Sequence, residues 1–142
     1  RFGKVNAELL VWNDPPARLS RTQARYRTEA FYRTKCLYLA RWLKRHVAAD
    51  REFWLWGAGR VTRRRFWALE SDGIQFAGFI DIDANKLGRT RDGRWVVGPH
   101  ALPDPARAFI LAGVGKRGAR ELIAAELHRQ GRHEGRDFLL VA

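Results

Sequence analysis

Residues 53–83 read FWLWGAGRVTRRRFWALESDGIQFAGFIDID, and this stretch leaves the backbone little choice. The apolar run FWLWG is too short for a helix and is cut by the glycines of GAG. A segment of helical length follows, with Gly73 placed to stop it, and a second apolar run, IQFAGFIDID, ends in acids. Strand, glycine turn, helix and strand make one βαβ unit, a crossover that sets the two strands parallel.

The rest of the chain continues the alternation. Upstream, Phe31, Cys36, Leu37, Leu39, Ala40, Leu43 and Val47 recur at three- to four-residue spacing and predict one helix over residues 28–48. Its Tyr32, Tyr38 and Trp42 read as packing residues, and Arg33, Lys35, Arg41, Lys44 and Arg45 as its wet face. Residues 2–12 form a short strand candidate, and NDPPARLSRT, residues 13–22, is a proline-punctuated linker. Downstream come a polar excursion over 83–94 with a hairpin-like Asp92-Gly93, a short strand in WVVGP and a proline-broken connection in HALPDPAR. A buried central strand in AFILAGV, an amphipathic helix ended by Gly131 and a closing strand in DFLLVA complete the chain. The predicted class is α/β, a Rossmann-like three-layer parallel sheet preceded by an N-terminal helical segment.

A length of 142 residues suits one domain, and 46% hydrophobic with 30% charged residues is a globular composition rather than a disordered one. The apolar runs are far shorter than the ~20 residues of a spanning helix, so no transmembrane segment is expected. Cys36 is the only cysteine, which excludes an intrachain disulfide or a cysteine zinc site and fits a reducing, cytoplasmic setting. The chain begins at Arg1 without Met, signal peptide or transit peptide, and reads as part of a longer protein. A net charge of +12 suits contact with anions, yet no base-reading motif points to specific nucleic-acid recognition.

The chemistry concentrates in two glycine loops. In the first, Gly57 permits a tight turn, Ala58 follows it, and Gly59 lets a pyrophosphate approach the backbone, with Arg60 opening the helix. Thr62 stands where G-x-G-x-x-G has its third glycine, and its bulk is expected to push the helix off the strand or change its angle. Asp81 follows Gly57 by 24 residues, near the ~20-residue offset at which an acid meets a ribose hydroxyl, and alternation puts Asp83 on the same face. The competing reading is that both acids cap the strand end and pair with Arg89 or Arg91. The second loop, GVGKRGAR, brings Gly113, Gly115, Lys116 and Arg117, with Arg120 beyond, to flank the same crevice. Basic residues in a helix's first turn oppose its dipole, a cost that a bound anion would offset. His46, His100, His128 and His133 lack metal-ligand spacing, Ser20 and Ser71 lack a nucleophile elbow, and no catalytic residue or metal ligand is assigned.

DPPARLSRTQARYRTEAFYRTKCLYLARWL, WGAGRVTRRRFWALESDGIQFAGFIDID and AGVGKRGARELIAAELHRQGRHEGRDFLLVA together resemble the C-terminal part of bacterial family 2 glycosyltransferases. LWGAGR, GFIDID and VGKRGARE are the most specific pieces, and the portion after residue 50 is also similar to the nucleotide-sugar-binding N-terminal domains of sugar acetyltransferases and to epimerase-like proteins. The resemblance implies that residues 1–24 are the tail of a glycosyltransferase catalytic domain lying upstream, 25–50 a connecting helix, and 51–142 an accessory nucleotide-binding domain. Arg18 or Ser20 would then touch donor diphosphate in the intact enzyme. The D-x-D metal motif of such a transferase is missing, since Asp81–Asp83 belongs to the accessory domain, so no glycosyl transfer is expected of these residues alone. The implied ligand is a nucleotide-type small molecule, a nucleotide-sugar or NAD(P). The alternatives are an interaction domain with a degenerate pocket, docking a partner protein or polyanion through its basic face, and an NAD-dependent redox enzyme.

Overall fold

The computed structural model describes residues 27–142 together with Pro15, Pro16, Arg18 and Gln23. The strand expected over residues 2–12 and most of the linker over 13–22, Ser20 included, lie outside the described residues. Helix α1 spans Thr28–His46 and is followed by β1 (Glu52–Trp56), α2 (Arg60–Ser71) and β2 (Phe76–Ile80). Then come β3 (Thr90–Arg91), β4 (Arg94–Val97), a 3-10 turn (Pro99–Ala101), β5 (Ala108–Ala112), α3 (Ala119–Arg129) and β6 (Phe138–Leu140). The result is a mixed α/β fold around one six-stranded sheet, ordered β3-β4-β2-β1-β5-β6.

The sheet is mostly parallel, because β1 pairs in parallel with both β2 and β5, β2 with β4, and β5 with β6. The expectation of an all-parallel sheet needs one correction. β3 runs antiparallel to β4 across the Asp92-Gly93 turn, where both residues have positive φ, 48° and 74°. Asp and Gly tolerate that left-handed backbone, so the sequence closes a two-residue hairpin where a crossover helix would otherwise stand.

Alternation along the strands sorts the core into two layers. Leu55, Phe79, Phe109 and Leu111 face Cys36, Ala40 and Leu43 of α1 and Phe66 and Leu69 of α2. Trp56, Ile80, Ile110 and Ala112 face Ile123 and Leu127 of α3. All five residues of β5 are buried, as its unbroken apolar run predicts for a strand covered on both faces. Helix α1 packs against the sheet and α2: Trp42 meets Phe109 at 6.3 Å between ring centroids, and Tyr32 meets Phe66 edge-on at 5.6 Å. At Gly78 in β2, any Cβ would fall 2.3 Å from the Trp54 ring, so this glycine makes room for the indole to lie across the neighbouring strand.

The connection from β4 to β5 has no helix and is held by two arginines. Arg51 donates to Pro105 O (2.7 Å), Ala108 O (2.9 Å) and Arg136 O (2.7 Å), and pairs with Asp137 at 3.3 Å. Arg132, only 2% exposed, donates to Ala108 O and Pro103 O. These charged forks satisfy backbone carbonyls that a regular element would have paired internally. Among the described residues no helix is long and apolar enough to cross a membrane.

Candidate functional site

β2 and β5 flank β1 on opposite sides, so the loops leaving β1 and β5 diverge and a crevice opens at the carboxyl edge between them, where ligands bind in open α/β sheets. It has a volume of about 700 Å³. Trp56 at the end of β1, Gly57 and Gly59 of the first loop and Thr62 of α2 line it, with Asp81, Ile82 and Lys86 after β2, and Val114, Lys116 and Arg117 from the second loop. Leu122, Ile123, Glu126 and Arg129 of α3, with Pro99 and His100, close the far side.

The first loop turns as its glycines predict. Gly57 has φ +122° and donates to Ile80 O at 2.8 Å, which keeps the turn against β2. Gly59 caps α2 with ordinary extended φ and ψ, and nothing lies within 4 Å of where its Cβ would be. The backbone is therefore accessible there. Thr62 does not push α2 away: its Cγ2 sits 2.8 Å from the Cβ positions that Gly57 and Gly113 both lack. Gly113 also faces Phe66, whose Cε2 would be 2.6 Å from an added Cβ. The close helix-to-strand approach that a third glycine would permit is instead permitted by a glycine at the end of β5. Gly113 is thus turned to packing and does not line the crevice.

Asp81 is 9% exposed and largely spent on the fold. Its Oδ2 accepts from Ala58 N (3.1 Å) and Lys86 Nζ (3.0 Å), and its Oδ1 accepts from Asp83 N (3.0 Å). Ala58, itself 1% exposed, is thereby latched to the end of β2. Asp83 lies outside the crevice lining; it accepts from Asn85 N at 3.0 Å and pairs with Lys86 at 3.3 Å. The Asn85 N–H and the Lys86 ammonium hold the Asp83 carboxyl below its usual range. Lys86 is pushed above the ordinary lysine value, chiefly by its hydrogen bond to Asp81, against some burial. The partner of both acids is Lys86, rather than Arg89 or Arg91.

The arginines of α2 are directed elsewhere. Arg63 donates to Ala58 O at 3.1 Å and pairs with Asp92, tying the turn to the hairpin. Arg64 pairs with Glu29 at 3.4 Å, and Arg65 lies 4.9 Å over the Tyr32 ring. Arg60 borders a separate shallow depression with Arg63, Arg64, Trp67 and Asp92, so this predicted site residue is not in the crevice. Gly115 is also outside it, in a small depression with Arg120, and its added Cβ would meet Arg65 Nη1 at 3.2 Å.

Lys116 and Arg117 do line the crevice and are exposed, and their side chains have no hydrogen-bond or ion-pair partner among the described residues. Arg129 is by contrast paired with Glu126 at 2.7 Å, which together with Gln130 lowers the Glu126 carboxyl. Sequence reasoning missed Ile82, Lys86, His100 and Leu122. Ile82 and Leu122 are 78% and 73% exposed apolar side chains on the same crevice, and exposed aliphatics inside a strand-end motif and a helix were the signal available. Among the described residues no cluster of three or more His, Cys, Asp or Glu could hold a metal ion. No protein-family model, no curated protein and no solved structure matches the chain.

Proposed function

We propose that this chain is a Rossmann-like binding module for a nucleotide-type small molecule, accessory to a sugar-transferring catalytic domain upstream. The observation that carries the binding part is the crevice itself. It joins an accessible glycine turn, two exposed apolar side chains and two cationic side chains with no partner among the described residues, at the point where strand order reverses. Ile82 and Leu122 offer apolar surface to a base, and Lys116 and Arg117 offer charge to a phosphate. The accessory role rests on the motif resemblance alone. Thermal denaturation against NAD, NADP, UDP-glucose, GDP-mannose and S-adenosylmethionine at two salt concentrations tests the binding part. A saturable rise in Tm with one of them is expected, since a ligand at a hundred times its Kd stabilises by about 2.7 kcal/mol. No shift with any compound at millimolar concentration would refute it.

A second reading is favoured by one observation. Phe31 and Tyr38 on α1 and Trp67 on α2 are 60%, 64% and 59% exposed, with Lys35 and Arg41 lying over the α1 aromatics. The exposed aromatic and basic side chains of α1 suit an interaction role with an acidic partner. Polyanion binding that falls steeply with salt and ignores the crevice variants would support it.

A further inference from the structure

We infer that phosphate is recognised by the second loop, through Lys116 and Arg117, and not at the first glycine turn, so the ligand is a mononucleotide with its charge at one end rather than a dinucleotide. This rests on the reading of the crevice as a nucleotide site. The first turn already holds an anion of the protein's own: the Asp81 carboxylate takes the Ala58 N–H at 3.1 Å. Of the crevice-lining charges at that end, Lys86 balances Asp81 at 3.0 Å, so the end carries no net positive charge. A pyrophosphate placed there would meet like charge in a partly buried setting, where repulsion is weakly screened.

At the other end the balance is positive. Lys116 and Arg117 line the crevice, and no carboxylate pairs with either among the described residues. Arg60, Arg63, Arg64 and Arg65 do not line the crevice, and Arg63, which donates to Ala58 O in the first turn, is itself paired with Asp92. A dinucleotide carries its pyrophosphate between two nucleosides, which puts it at the centre of the crevice beside Gly57 and Gly59, where the Ala58 N–H is already taken by Asp81. A mononucleotide needs charge at one end only. Its base then rests on Ile82 and Leu122, and its phosphate reaches the second loop.

The test is titration calorimetry of the protein with ADP, UDP, adenosine, uridine and NAD. The variants are Lys116→Ala/Arg117→Ala, which alters exposed side chains, and Gly59→Ala, whose added Cβ has open space. A circular-dichroism melt of each variant confirms folding. The expected result is that ADP or UDP binds at least tenfold tighter than its nucleoside and tighter than NAD. The double variant should lose at least tenfold in Kd for the nucleotide, and Gly59→Ala, which adds a methyl to the crevice lining, should cost less than the double variant. If Gly59→Ala costs tenfold and the double variant does not, phosphate sits on the first turn; the inference is overturned and the crevice reading survives. Tighter binding of NAD than of either mononucleotide also overturns it. If none of the probes binds wild type, the crevice reading itself falls, and the inference with it.

Discussion

Replacing Gly113 by Ala tests how α2 is seated on the sheet. The new methyl would lie 2.6 Å from Phe66 Cε2, 2.8 Å from Thr62 Cγ2 and 3.0 Å from Phe66 Cδ2. Carbon atoms rest at roughly 3.5–4.0 Å, so about 1 Å must be opened between α2 and the end of β5. Phe66 is fully buried and cannot swing away. Overpacking of this kind costs about 1–3 kcal/mol. For a domain of this size that is a fall in Tm of about 4–12 °C. Gly59→Ala is the matched control, with no atom within 4 Å of the added carbon and a cap effect within about 1 kcal/mol. Adding Thr62→Ser to Gly113→Ala removes one of the clashing atoms and should recover part of the loss, less than half, because the Phe66 contact remains. Calorimetric melts with urea midpoints measure all four. A Gly113→Ala protein as stable as wild type would refute the account of how Thr62 is accommodated.

Three further outcomes follow from the buried groups. Burial first, and Asp72 second, push the Cys36 thiol up to about 11, so its thiolate at neutral pH is on the order of one part in ten thousand. Native protein should react with a thiol-specific disulfide reagent only as fast as it unfolds, and stability should fall above about pH 9, where the unfolded thiol ionises first; fast native labelling would contradict this. Burial raises the Asp137 carboxyl, but Arg136, the His133 N–H and Arg51 outweigh it and hold the group below its ordinary 3.8. Its contribution is therefore full above that value and lost as pH falls through the lower folded one, and Asp137→Asn should flatten the acid limb of urea midpoints measured from pH 6 downward. Arg132→Met should cost about 1–3 kcal/mol by leaving Pro103 O without its charged donor and Ala108 O with Arg51 alone, with Arg132→Lys restoring less than half because an ammonium is not a fork. A loss under about 0.5 kcal/mol in the urea midpoints would show that arginine to be dispensable.

Much of the architecture was legible because its signals are local. The βαβ unit over residues 53–83 announced itself by apolar runs cut at Gly57 and Gly73, and α1, β5 and α3 by their periodicity. The predicted end of α1 at residue 48 overran by two residues, since Val47 already has extended backbone. The candidate site was legible only in part. Glycine positions and strand-end acids are visible in a string of letters, but which acid is spent on which donor depends on a turn returning Lys86 to within 3.0 Å of Asp81.

What the sequence determined by itself is the class of fold and the edge of the sheet at which a crevice must open, because hydrophobic periodicity and turn chemistry act over a few residues. Only the tertiary structure decided which residues face that crevice. Thr62 found its room opposite Gly113, 51 residues away in the chain, Arg63, Arg64 and Arg65 turned to Asp92, Glu29 and Tyr32, and the Lys116 and Arg117 side chains were left in the crevice with no partner among the described residues. Those pairings join distant segments, and no spacing rule within one segment carries the distances on which hydrogen bonding and charge depend.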